Sequence, residues 1–157
     1  MDSSIKKQIK TLNIIYLAIL ISMSAALIFS LVFIYKSGAI PVFGADDQGF
    51  IKSMVIIALL VGIPVSHIFF HKKVKHINSD LPLSKKVAMF QTAFIVRIAM
   101  LEAIGLLAVI GYLVAADKSF LYMFGVVFVL FIIHAPTKQR ICGDLELSEE
   151  EENQILS

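Results

Sequence analysis

The stretch VAMFQTAFIVRIAMLEAIGLLAVIGYLVAA, residues 87–116, holds thirty residues, of which only Arg97 and Glu102 are charged at neutral pH. A helix crossing the hydrocarbon core of a bilayer needs about 20 apolar residues, each rising about 1.5 Å. The stretch exceeds that need by roughly ten residues, which predicts a span that tilts or projects from the membrane. A charge near the middle of such a helix costs about 2.5 to 3.5 kcal/mol on insertion scales, so each of the two residues is expected to face a partner or a wet cavity.

Outward from this stretch, the chain of 157 residues is 58% apolar and only 17% charged, and its charges are segregated. Soluble domains carry roughly 25% charged residues. Three further uncharged stretches run from Thr11 to Tyr35, Ser53 to His71 and Ser119 to Thr137. The expected architecture is therefore all-α, a four-transmembrane-helix bundle with spans at about 12–35, 51–71, 87–116 and 119–136. Residues 1–136 form the membrane domain and 137–157 a tail. Irregular backbone cannot face lipid, and four spans cannot close a barrel, so the spans must be helices. The first span follows Lys6, Lys7 and Lys10, as a signal peptide would. Its apolar run is longer than the roughly 7 to 15 residues of a signal segment and no small-residue cleavage site follows promptly, so it reads as a retained anchor.

The lysines and arginines set the orientation. The N-terminal tail, the link between spans two and three (Lys72, Lys73, Lys75, Lys85, Lys86) and the C-terminal tail (Lys138, Arg140) hold ten, against three at Lys36, Lys52 and Lys118. By the positive-inside bias, both termini and the middle link are cytoplasmic, in a bacterial inner membrane. These lysines collect at span ends, where they meet anionic headgroups, so the net charge of +2 implies the lipid bilayer as partner and no nucleic acid. The single cysteine, Cys142, excludes an intramolecular disulfide and any CxxC motif. The turn-rich segment from Lys36 to Gly49, with Pro41, Asp46 and Asp47, reads as an outer loop, with Phe43 and Phe50 near the interface. The short connection at Asp117 and Lys118 makes spans three and four a tight hairpin. Past Pro136, Ser148 and Glu151 have capping-box spacing for a short acidic helix, Glu149–Glu152 lying at its positive end. This acidic C-terminal tail reads as solvated and partly frayed, or else as a docking tail for a cytoplasmic partner.

Arg97 and Glu102 are five residues apart, about 140° around a helix, so they do not neutralise each other as an i,i+4 pair would. Gln91 shares the Glu102 face, which Gly105 and Val109 continue, while Ala99, Ala103, Ala108 and Gly111 offer small surfaces to neighbouring helices. The polar intramembrane centre is thus Glu102, Arg97 and Gln91, on a helix expected at the middle of the bundle. Depth and the lean of its side chain make Arg97 the easier of the two charges to solvate. In span two, Pro64 frees the Leu60 carbonyl at an expected kink, so Arg97 should donate there, or to Ser66 or His67. An isolated carboxyl at Glu102 is either a neutral hydrogen-bonding group that holds helices together or one that exchanges protons or sodium during transport.

The segment RIAMLEAIGLLAVIGY, residues 97–112, resembles the ion-carrying helix of rotary ATPase proteolipid (c) subunits, in which a mid-membrane carboxylate follows small and apolar residues. That resemblance implies an ion-binding carboxylate at Glu102. It covers one helix of four: span one lacks the glycine-repeat partner helix, the cytoplasmic link is long and basic, and Arg97 shares the helix with the acid. Over its whole length the chain resembles small four-span bacterial membrane proteins of unestablished activity.

His67 in span two and His134 in span four lie at matching levels, where imidazoles on facing helices could ligate a haem. Interfacial or hydrogen-bonded packing is the plainer reading, leaving no cofactor. His67 and His71 are one turn apart with no evident third ligand, so no metal is expected. Serine-nucleophile, Walker, dinucleotide and HExxH motifs are absent, and no carboxylate pair shares a membrane helix, so no enzyme activity and no catalytic residues are expected. The chain reads as a non-enzymatic structural or accessory subunit, in a homo-oligomer or larger membrane complex. The alternatives are a proton- or ion-coupled small carrier using Glu102 and a haem-bearing redox subunit.

Overall fold

A computed structural model describes residues 3–38 and 44–156, with six helices and no strands among them. The helices are α1 (Ser3–Ser37), α2 (Ala45–Lys75), α3 (Leu83–Ala115), α4 (Ser119–Ile133), α5 (Lys138–Asp144) and α6 (Glu149–Leu156). Pro41 and Phe43 of the expected outer loop lie outside the described residues. α1, α2 and α3 are each long and apolar enough to cross a membrane, and α4 with α5 makes a fourth candidate bent by 84°. Their outward faces are apolar: Ile28, Phe29 and Leu60 are 61%, 63% and 70% exposed. An apolar surface of this extent is compatible with a membrane protein.

Helix α3 is the axis of the molecule, packed against α1, α2 and α4. Its inner face, from Leu83 through Phe90, Phe94, Arg97, Leu101 and Ala108 to Ala115, is buried. Small residues permit the close approach. A Cβ at Gly62 would stand 2.6 Å from Ile104 Cδ1, one at Gly105 would stand 2.6 Å from Met23 Cε, and one at Gly111 would strike the Phe120 ring. Of the four small residues singled out in the sequence, Ala108 and Gly111 face inward, whereas Ala99 and Ala103 are exposed.

Each end of the bundle is fastened by polar contacts. At one end α3 stops at Ala116, whose left-handed φ of 53° turns the chain within three residues into α4. Asp117 holds the turn: its carboxylate accepts from the Ser119 N–H at 2.8 Å and from Lys52 Nζ at 2.9 Å. Those donors hold its carboxyl down at a pKa of about 2. At the other end, α4 is shorter than expected. The predicted span reached residue 136, but the helix ends at Ile133, because Pro136 has no N–H and biases Ala135 away from helix. Its last carbonyls take side-chain donors: Tyr16 Oη to Phe131 at 3.2 Å, His134 Nδ1 to Leu130 at 2.6 Å and Arg140 Nη1 to Ile133. Pro64 does not interrupt α2, which runs unbroken from Ala45 to Lys75.

The tail departs from the solvated reading. Ile141, Cys142 and Ile155 are buried at 0%, 3% and 0% exposure. The capping box forms, Ser148 N donating to Glu151 Oε2 at 3.3 Å and Glu151 N to Ser148 Oγ at 3.4 Å. The same carboxylate accepts from Lys86 Nζ of α3 at 2.7 Å, tying α6 back to the bundle. The apolar side of α6, invisible beside four consecutive glutamates, supplies the remaining attachment through Ile155.

Candidate functional site

The polar centre splits into two environments on α3. Arg97 lies on the inner face, only 4% exposed. Its Nη2 donates to His67 Nδ1 at 3.2 Å, and its guanidinium lies over the Phe70 ring at 4.8 Å. Both partners come from α2, three residues apart and therefore on one face. Arginine only donates, so His67 Nδ1 must offer its lone pair; His134, which donates its Nδ1–H to Leu130, takes the opposite tautomer. Arg97 Nε is buried and has no hydrogen-bond partner among the described residues. The rings of Phe70, Phe90 and Phe94 pack mutually with centroids 5.6 to 6.4 Å apart and wall this chamber, and Tyr16 stacks on Phe131 at 4.9 Å beyond Phe94.

Glu102 occupies the other environment. It is half-buried at the edge of the outward side of α3, and Gln91, about three turns earlier, is half-buried too. Among the described residues Glu102 has neither a hydrogen-bond nor an ion-pair partner. This reverses the expected ranking: Arg97, taken from sequence as the easier charge to solvate, is the enclosed one, and Glu102 stands at the rim. Of the three acceptors suggested for Arg97, His67 is the one it meets, Leu60 being on the outside of α2 and Ser66 Oγ donating to Ile63 instead.

The histidines gather at the same end. His67 and His134 have ring centroids 6.4 Å apart, and His67 and His71 are 4.3 Å apart. His134 donates its Nδ1–H to Leu130 and so keeps its Nε2 lone pair, whereas His67 accepts from Arg97 at Nδ1 and so carries its proton on Nε2. Among the described residues no three His, Cys, Asp or Glu side chains are grouped to hold a metal ion. No family model matches the chain, and no curated protein or solved structure does either. The roles of Arg97 and Glu102 therefore rest on their surroundings. Chemically, the Arg97 chamber is a cation–imidazole–aromatic joint between α2 and α3. Glu102 is a half-buried carboxyl without a partner among the described residues.

Sequence reasoning missed Phe70, Tyr16, Arg140 and the Lys86–Glu151 pair. Phe70 was within reach, since it follows the named His67 by three positions on the same helix. Arg140 and Lys86 carried no signal, because each is one basic residue among several at a span end.

Proposed function

We propose that this chain is a multi-pass bacterial inner-membrane protein with four spans, α4 being a short one, and with both termini and the α2–α3 link in the cytoplasm. It acts as a non-enzymatic structural or accessory subunit, in a homo-oligomer or a larger membrane complex. The positive-inside count supports the orientation, and the convergence of Lys86, Glu151, Lys138 and Leu156 at one end is consistent with it.

The observation that carries the subunit reading is the partnerless, half-exposed Glu102 beside exposed Ala99 and Ala103. At membrane depth a carboxyl without a partner is costly, and small neighbours let a second helix come close enough to supply one. In a Cys142→Ser background, Ala99→Cys or Ala103→Cys is expected to form oxidative cross-links in native membranes, to another copy or to a copurifying subunit. A protein that stays monomeric by native mass, with no cross-link at either position, would sink this reading.

A second reading, a small carrier exchanging protons or sodium at Glu102, draws on the same unpartnered carboxyl. It requires an infrared carboxyl band that responds to pH between about 5 and 9 and disappears in Glu102→Gln. A band indifferent to pH leaves only the structural role.

A further inference from the structure

Helix α1 changes character along one face. Lys6, Lys10, Asn13, Ile14 and Leu17 follow each other at helical spacing, and Ile21 and Ile28 continue the same line. All of these side chains are exposed, Ile14 and Leu17 at 57% and 52%. The face thus runs from two ammonium groups through an amide to bare hydrocarbon. The 84° bend after α4 swings α5 across the end of the bundle and brings Lys138 to the same place. Lys6, Lys10, Asn13, Ile14, Leu17 and Lys138 line a groove of about 390 Å³ in which, among the described residues, no carboxylate takes part. Lys138 is steadied there by donating to the Leu156 carbonyl at 3.4 Å.

We infer that this groove binds an anionic diacyl phospholipid of the cytoplasmic leaflet, its phosphate held by Lys6, Lys10 and Lys138 and an acyl chain laid along Ile14 and Leu17. Charge complementarity selects the occupant: three cations from two elements converge on one spot, and the polar-to-apolar gradient of α1 is that of a phospholipid read from headgroup to tail. The groove between α2 and α3, by contrast, holds a single ammonium, Lys73, already seated over the Phe69 ring at 5.7 Å. Juxtamembrane lysines each contribute roughly fivefold to the affinity for anionic lipid, so three acting together give on the order of a hundredfold preference over a zwitterionic lipid.

This inference rests on the membrane reading, which resistance of the membrane-bound chain to a carbonate wash tests separately. The probe is native mass spectrometry of the purified full chain with phosphatidylglycerol and phosphatidylcholine of matched acyl chains. Wild type is expected to retain phosphatidylglycerol preferentially. Lys6→Gln/Lys10→Gln/Lys138→Gln should lose most of that preference, while Lys72→Gln/Lys73→Gln/Lys85→Gln, which removes equal charge from the same end, should keep it, both melting like wild type. Equal retention of the two lipids, an equal loss in the control variant, or displacement of the lipid by millimolar inorganic phosphate would each overturn the lipid site. A chain released by carbonate would overturn the membrane reading itself.

Discussion

Arg97 brings five N–H donors into a chamber where the described structure offers one acceptor, so most of its stabilisation comes from the Phe70 face rather than from hydrogen bonds. A desolvated cation–π contact contributes about 2 kcal/mol. Arg97→Lys keeps the charge but gives up the flat guanidinium that can stack on Phe70 and reach His67 together. It is expected to lower stability by about 2 kcal/mol in detergent unfolding, with Phe70→Leu costing a similar amount and the double variant less than the sum. Additive losses would mean that the two side chains do not act as a unit. The position of Arg97 was legible as a polar site within an apolar helix; its inward direction was not. Where nearly every residue of a helix is apolar, polarity no longer marks the buried face, and the choice falls to where α2 presents His67 and Phe70. The exposure of Glu102 was missed for the same reason: its place in the apolar run was readable, its rotation about the helix was not.

At the scale of elements, the interior of each long helix was written plainly in its uncharged run, and the ends were not. The capping box at Ser148 and Glu151 could be read as local spacing, yet its second use, gripping Lys86 across 65 residues, is a tertiary fact with no local trace. Two carboxylates fasten the element ends, and both titrate low: Asp117 because of Ser119 and Lys52, Glu151 because of Lys86 first and Ser148 second. A depressed carboxyl contributes stability that is fully present above its ordinary value and vanishes as pH falls through the folded value. The melting temperature is therefore expected to fall as pH drops below about 4, the Asp117 share disappearing toward pH 2. Glu151→Gln should lower the melting temperature at pH 7 and flatten the acid slope, read by thermal denaturation across pH. An unchanged slope would detach α6 from the stability of the bundle.

For the whole molecule, the helical class and the presence of three to four helices long and apolar enough to cross a membrane were legible, because bilayer thickness sets a length that composition displays directly. The docked tail was not, because a helix with four consecutive acids shows little of the Ile155 it buries. Orientation is testable by single cysteines in the Cys142→Ser background. Lys36→Cys and Lys118→Cys should react with an impermeant maleimide from outside intact cells, and Lys75→Cys and Glu149→Cys only after lysis; the opposite pattern would invert the topology. The short α4 carries one more consequence. Fifteen residues cover about 22 Å, against about 50 Å for the thirty-three of neighbouring α3, so the bundle presents a low wall on one side and a tall one on the other. In a bilayer core of about 30 Å, lipid along the low wall must thin, or a neighbouring protein must stand in for it. Hydrophobic mismatch on a single flank would then give the molecule a preferred side for company.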